Sequence, residues 1–330
     1  MKVAVIGGGA IGTVHAKAYV AAGAQLVGVV EPVTAVGERF STAFGVPVFD
    51  TLDSLLAGDN PPEAISICTP PFTHRQLAEV AMKAGVHVLC EKPMAHTIED
   101  ARALHRSAEA SNVTFATAYC HRFQPELELI HSHIETGEIG TVRTFFNAFS
   151  GHQDDIETRW FGRKELAGGG ALIDAGIHSI DIFRYLCGEV DSATGTLATV
   201  LDGTGLEVEH TAAMTLRSVT HVIGTIECSW KSPTGQSIVR VEGSEGSLTF
   251  DYARQGQVAK QSRSGEVEIL QVSPGNRFER EIADFIRSVT VGMRPRTGSL
   301  DGLVGVAVLD EVYSQSDNRS LGSSILNEVA

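Results

Sequence analysis

Gly7, Gly9 and Gly12 are spaced G-x-G-x-x-G between an apolar run and an amphipathic stretch. The first glycine allows a tight turn, the second lets backbone approach a diphosphate, and the third lets a helix pack closely on a strand. The N–H groups at Ala10 and Ile11, at the positive end of the helix dipole, suit phosphate oxygens. Glu31 ends the next apolar run, 19 residues after Gly12. A carboxylate there accepts the two hydroxyls of an adenine ribose and repels a 2′-phosphate, and Pro32, Val33 and Thr34 offer no cation to offset it. The pattern points to a dinucleotide, with NAD favoured over NADP and Arg39 the one nearby cation through which NADP could be accepted.

Three further segments carry groups that could serve proton transfer. Cys90-Glu91-Lys92-Pro93 and Thr69-Pro70-Pro71-Phe72-Thr73-His74 each follow an apolar run. In open α/β sheets ligands sit outside the carboxyl ends of strands, so Thr69, Pro70, His74, Glu91 and Lys92 are expected to face the cofactor. The other segment, Gly168-Gly169-Gly170-Ala171-Leu172-Ile173-Asp174-Ala175-Gly176-Ile177-His178, reads as a glycine loop opening a helix. Asp174 and His178, four apart, would then share a face. Histidine titrates near neutrality and can take a hydroxyl proton, while a lysine on the same oxygen stabilises alkoxide charge. Asp174 would hold a substrate hydroxyl or orient the histidine. Singly these residues read as an exposed charge, a first-turn acid and a core histidine; beside the glycine loop they read as one site. A metal is not expected: Asp174 and His178 lack a third ligand, and His131 and His133, two apart, point to different sides of a helix.

The elements that must hold these residues follow from periodicity. Apolar runs at 3–6, 26–30, 64–68, 86–90 and 114–118 have strand length, and the stretches 11–22, 33–44, 73–84 and 97–110 repeat apolar residues at three and four. Strands separated by helical crossovers pair in parallel. After about residue 121 the grammar changes. A short helix over 125–135, a strand over 142–150 and a helix over 171–186 precede strand patterns at 193–201, 207–217, 221–230, 237–242 and 247–250. Turn residues such as Asp202-Gly203, Ser232-Pro233 and Gly243 separate those strands, which predicts antiparallel pairing. Helices over 277–291 and 300–314 follow.

The glycine loop, Thr69-Pro70-Pro71-Phe72-Thr73-His74, Glu91-Lys92-Pro93 and the run from Gly169 to His178 occur in the order and spacing of the glucose-fructose oxidoreductase, inositol dehydrogenase and rhizopine-catabolism family, GFO/IDH/MocA, which this chain resembles from Met1 to about Tyr313. The resemblance implies that Lys92, Asp174 and His178 are the catalytic set, that Pro93 follows a cis peptide bond, and that the substrate is a pyranose sugar, sugar derivative or cyclitol oxidised at a secondary hydroxyl. It also implies that His121, Arg122, Arg159 and Trp160 approach the substrate, with domain packing the competing role for His121 and Trp160. His152, Asp154 and Asp155 read as a solvated turn. The expected fold is α/β: a doubly wound parallel Rossmann domain over residues 1–121 and an α+β domain over 122–330 on a largely antiparallel open sheet, covered by a partner in a homodimer or homotetramer.

Composition sets the remaining bounds. The 330 residues carry 26 Lys and Arg against 40 Asp and Glu, a net charge of −14, which excludes a general grip on nucleic acid or anionic lipid. No apolar run reaches the roughly 18 residues of a membrane span, and no secretory signal is legible, so the cytoplasm is expected. The five cysteines form no C-x-x-C pair and read as reduced thiols, with Cys68, Cys90 and Cys120 ending strands beside the expected cleft. Two other functions share these motifs: an NAD-dependent glycoside hydrolase that oxidises its substrate transiently, and a non-enzymatic dinucleotide-binding regulator.

Overall fold

The computed structural model describes residues 1–199 and 205–316. Strands β1 Lys2–Ile6, β2 Gln25–Val30, β3 Val48–Phe49, β4 Ala64–Ile67, β5 His87–Glu91 and β6 Phe115–Ala118 form one sheet in the order β3-β2-β1-β4-β5-β6. Every pairing in it is parallel. Helices α1 Ala10–Ala21, α2 Thr34–Phe44, α3 Leu52–Leu56, α4 His74–Lys83 and α5 Ile98–Ala110 supply the crossovers. Both faces of the sheet are therefore covered, which is why β1 and β4 read as continuous apolar runs. Strand order reverses between β1 and β4, and a crevice opens outside their carboxyl ends. β3 and α3, two and five residues long, are too short to leave a periodic signal in the sequence.

A 3-10 turn at Cys120–Phe123 leads into α6 Pro125–Glu135, β7 Val142–Ser150, α7 Lys164–Ala167 and α8 Ile177–Cys187. Strands β8 Val190–Ala198, β9 Thr211–Ser218, β10 Ile223–Ser229, β11 Ser237–Gly243, β12 Gly246–Asp251, β13 Gln257–Ser262 and β14 Val267–Gln271 join β7 in a second sheet, ordered β14-β13-β12-β11-β7-β10-β9-β8. Its pairings are antiparallel except β7 with β10. β13 is mostly polar and β14 is an exposed edge strand, so neither shows the alternation of a half-buried strand. The strand expected to run to 201 ends at Ala198, and the Asp202-Gly203 turn lies outside the described residues.

The last two helices return to the first sheet. α9 Arg277–Val291 buries Ile282 and Phe285 against Tyr19, Leu89 and Ala116. Asn276 caps it by accepting from the Phe278 N–H at 3.0 Å, and Gly292, at φ +70°, ends it in the left-handed region. α10 Ser299–Ser316 contributes Val306 to the first core and Val308, Leu309 and Val312 to the second, so it joins the two sheets. Among the described residues no helix is long and apolar enough to cross a membrane.

Candidate active site

The glycine loop is built for close approach by a ligand. Gly7 has φ +96°, and a Cβ there would stand 2.8 Å from the Cys68 carbonyl oxygen; a Cβ on Gly12 would stand 2.0 Å from that of Gly7. Gly9 faces open space, with no protein atom within 4 Å of a Cβ built on it. The first turn of α1 has neither a side-chain cap nor an acidic residue, so the N–H groups over Ala10 and Ile11 are available to an anion. Glu31 sits against this loop: its Oε2 accepts from the Gly8 N–H and its Oε1 from that of Val33, both at 2.9 Å. Each oxygen keeps lone-pair capacity for a ribose hydroxyl. Arg39 is exposed and borders the hollow beside Gly8 and Gly9. This cradle, open where Gly9 lacks a side chain, fits a dinucleotide.

The carboxyl ends of β4 and β5 are tied together by His74. Its Nδ1 lies 2.9 Å from the Pro93 carbonyl oxygen and its Nε2 2.8 Å from that of Thr69. The ring is fully buried, holds the Thr69 and Pro93 carbonyls from behind, and does not line the cleft beside the glycine loop. Burial lowers its pKa, although two carbonyl partners can both be satisfied only by the protonated ring. Glu91 is held likewise: His15 Nε2 donates to Oε1 and the Lys92 N–H donates to Oε2, each at 3.0 Å. Burial opposes that charge, yet His15 and Lys92 bring the Glu91 pKa below its ordinary value.

The Lys92–Pro93 peptide bond is cis. Lys92 Nζ donates to the Asp174 carbonyl oxygen at 2.8 Å and to Asp174 Oδ1 at 2.9 Å. Burial works to lower the lysine pKa, but the charges of Asp174 and Glu91 outweigh it and the net shift is upward. Lys92 is therefore an ammonium with one N–H left over from its bonds to Asp174. Asp174 Oδ2 accepts from Trp230 Nε1 at 3.1 Å, a contact the sequence does not announce because Trp230 reads as the end of a core strand.

Asp174 and His178 do not share one regular helical face, because Leu172–Gly176 is a π-helical turn leading into α8. The extra residue in the turn sends Asp174 to Lys92 and His178 to a different set of neighbours. Among the described residues no hydrogen bond joins the two, so Asp174 orients the lysine and not the histidine. Glu209 anchors the glycine triplet ahead of this turn: its carboxylate accepts from the Gly170 N–H at 2.9 Å, the Leu172 N–H at 3.0 Å and the Tyr313 hydroxyl at 2.8 Å. This use of Glu209 explains why the strand expected from 207 begins only at Thr211.

His178 is 9% exposed, and its Nδ1 is buried without a hydrogen-bond partner. The His121 ring lies 4.5 Å away, and His121 Nδ1 is 2.6 Å from the Tyr252 hydroxyl. Burial, then His121, Lys92 and Arg277, hold the His178 pKa well below its ordinary 6.5. Burial, Arg277 and Lys92 do the same to His121. Cys120 joins the pair, with ligating atoms of all three within 4.8 Å of one another. This trio does not include Asp174, so Asp174 and His178 still share no third ligand among the described residues, and the charges of Lys92 and Arg277 oppose a cation at this point. Burial raises the pKa of Cys68, Cys90 and Cys120 alike, which keeps them as unreactive thiols.

Lys92, Cys120, His121 and His178 line a cleft of about 360 Å³ that begins at Gly9 and Ala10 and also includes Arg159 and Trp160. Trp160 stacks on Phe161 at 3.8 Å, and the Arg159 guanidinium lies over the same Phe161 ring. Arg122 is not there. Its side chain is buried in a bidentate pair with Asp181, contacts Asp301, and donates to the Arg296 carbonyl, so the expectation of a substrate contact is corrected: its charge is consumed in joining α8 and α10. His152 and Asp154 pair with each other in solvent. Arg277 and Phe278, from the start of α9, complete the cleft wall; nothing in their local sequence marks them, since only the return of α9 brings them near.

Comparison with known proteins agrees with this geometry. Residues 1–119 match the model of the oxidoreductase family with an NAD-binding Rossmann fold, GFO/IDH/MocA, and residues 127–249 match the GFO/IDH/MocA C-terminal domain. A levoglucosan dehydrogenase of Pseudarthrobacter phenanthrenivorans is 27% identical over 295 residues, 78% of this chain and 75% of that one. An inositol 2-dehydrogenase of Rhizobium meliloti is 27% identical over 333 residues, 97% of this chain and 98% of that one. The solved structure of a levoglucosan dehydrogenase in complex with NADH and levoglucosan has the same fold, with a TM-score of 0.91 at 22% identity over 97% of this chain and 98% of that one.

Proposed function

The chain belongs to the GFO/IDH/MocA family of NAD-binding oxidoreductases, and on that premise we propose that it oxidises a secondary hydroxyl of a pyranose sugar, sugar derivative or cyclitol through Lys92, Asp174 and His178. NAD, when bound, supplies the hydride acceptor. The chain's own residues manage the proton and the charge. His178 is kept neutral by burial and by nearby cations, so a ring nitrogen is free to take the hydroxyl proton. The remaining Lys92 N–H stabilises the oxygen as negative charge develops, and Asp174 keeps the ammonium aimed. Glu31 and the glycine loop hold the adenosine and diphosphate portions, with NAD the preferred form.

The observation that carries this reading is a charged lysine and an uncharged histidine lining one cleft beside a glycine loop that fits a dinucleotide. Supplying NAD with a panel of aldoses, 1,5-anhydro sugars and inositols and following NADH absorbance tests it. A substrate that is cleaved with no net NADH would favour the transient-oxidation hydrolase, and silence across the panel with both NAD and NADP would favour a regulator. The same reading takes the chain as a cytoplasmic enzyme, for which the free thiol state of all five cysteines is support. A homodimer or homotetramer fits the second sheet, one face of which carries alternating exposed residues on β9 and β10.

A further inference from the structure

We propose that Arg277, assisted by Arg159, forms an anion subsite at the catalytic end of the cleft that selects sugars bearing a carboxylate, such as hexuronates, over neutral sugars. This deepens the oxidoreductase reading and rests on it. The chain as a whole is acidic, at −14, yet the cleft wall carries Lys92, Arg159 and Arg277. The acids beside them are already engaged: Asp174 pairs with Lys92, and Glu91 accepts from His15 and the Lys92 N–H. Among the described residues, neither Arg159 nor Arg277 has a carboxylate within the 4.0 Å of an ion pair. The Arg277 Nε is buried without a hydrogen-bond partner, a costly state for a charged donor unless an acceptor arrives.

Position assigns the acceptor to the substrate. Arg277 lines the same cleft as Lys92, His121 and His178, which puts it at the reacting end, while the diphosphate has its own donors at the start of α1. Its guanidinium lies 4.9 Å over the Phe278 ring, which limits its orientations. Arg277 is also the first residue of the 15-residue α9, where the helix dipole disfavours a cation and attracts an anion. Glu281, one turn on, makes no hydrogen bond to it: both Glu281 oxygens are buried without partners, and burial raises the pKa of the group well above the ordinary carboxylate range against the opposing charge of Arg277. A guanidinium fork matches a carboxylate in two parallel hydrogen bonds.

The test compares kcat/KM with NAD for glucuronate and galacturonate against glucose, galactose and glucose 6-phosphate, in wild type, Arg277→Met and Arg277→Lys. Wild type should favour a uronate over its neutral parent by about 30-fold or more, the scale of one charge-assisted contact. Arg277→Met should erase that ratio and Arg277→Lys restore part of it, while the Kd for NADH, read by fluorescence, moves less than about threefold. A wild type that prefers a neutral sugar or the phosphate, or an Arg277→Met that weakens NADH and leaves the acid-to-neutral ratio intact, overturns the proposal. Calorimetric titration of glucuronate into the NADH complex separates this failure from that of the underlying reading. Binding lost in Arg277→Met upholds the subsite even without turnover, and no binding overturns it whatever the enzyme oxidises.

Discussion

Lys92 and Asp174, 82 residues apart, meet through two hydrogen bonds from one ammonium, at 2.9 Å to the carboxylate and 2.8 Å to the carbonyl oxygen. The first stands at the end of β5 and the second in a π-helical turn before α8, so the contact locks the cofactor-side sheet to the element that carries His178. On the proposed mechanism this lock serves turnover and not cofactor binding, which separates the two experimentally.

Lys92→Met should lower kcat by about 10²- to 10³-fold, the usual cost of losing one donor to a developing oxyanion. His178→Asn should lower it by about 10²- to 10⁴-fold, the range for a general base. Neither change removes a group from the glycine loop, so the Kd for NADH by fluorescence should stay within a few-fold of wild type. Turnover near wild type in both variants would remove these residues from the reaction.

The pH dependence follows from His178. Oxidation needs the neutral ring, and burial, His121, Lys92 and Arg277 lower its pKa well below 6.5. The profile of kcat/KM should thus stay flat as pH falls to 6.5 and decline only further down. An acid limb centred at or above 6.5 would contradict this assignment. The contribution of these rings to stability has the same sign: with folded pKa values lowered, His121 and His178 contribute stability above 6.5 that is lost as pH falls through the lowered values, so the Tm difference between wild type and His121→Gln should shrink on acidification.

The glycines should separate by function. Gly12→Ala forces a methyl to 2.0 Å from the Gly7 carbonyl oxygen and should lower the Tm by several degrees. Gly9→Ala meets no protein atom within 4 Å, so the Tm should hold while NADH binding weakens by tenfold or more on the order of one lost close approach. A Gly9→Ala protein with unaltered NADH affinity would place the diphosphate elsewhere.

Arg122 should behave as a structural residue. Arg122→Met leaves Asp181 buried without its partner, so denaturant unfolding should show a loss of about 3–5 kcal/mol, the usual consequence of breaking a buried pair. KM for the sugar should change little in the protein that remains folded. A raised KM with unchanged stability would return Arg122 to the substrate.

What the sequence made legible was local. The glycine loop, Glu31 and the Glu91-Lys92-Pro93 run each act within a few residues of their own strand, and strand-helix alternation fixes where they stand. Spacing also brought Asp174 and His178 to attention, but four residues apart on a regular helix is not what forms; the π-helical turn diverts them to different partners. The remaining participants come from distant segments whose local patterns are ordinary. Trp230 and Tyr252 each follow a strand, Glu209 looks like a strand residue, and Arg277 opens a helix 155 positions after Arg122, a separation on the order of a whole domain. A change of grammar is visible near residue 121, whereas the return of α9 and α10 to the first sheet is a matter of tertiary packing.

The central claim is that hydride leaves a secondary carbon of the sugar for NAD while His178 takes the proton. It is tested most directly with the best substrate of the panel, deuterated at the carbon that becomes the ketone, and mass analysis of the isolated nicotinamide cofactor. Wild type should yield NADH carrying one deuterium from the sugar in step with ketone, and His178→Asn should slow both together. Ketone or cleavage product formed without deuterated NADH would contradict the claim.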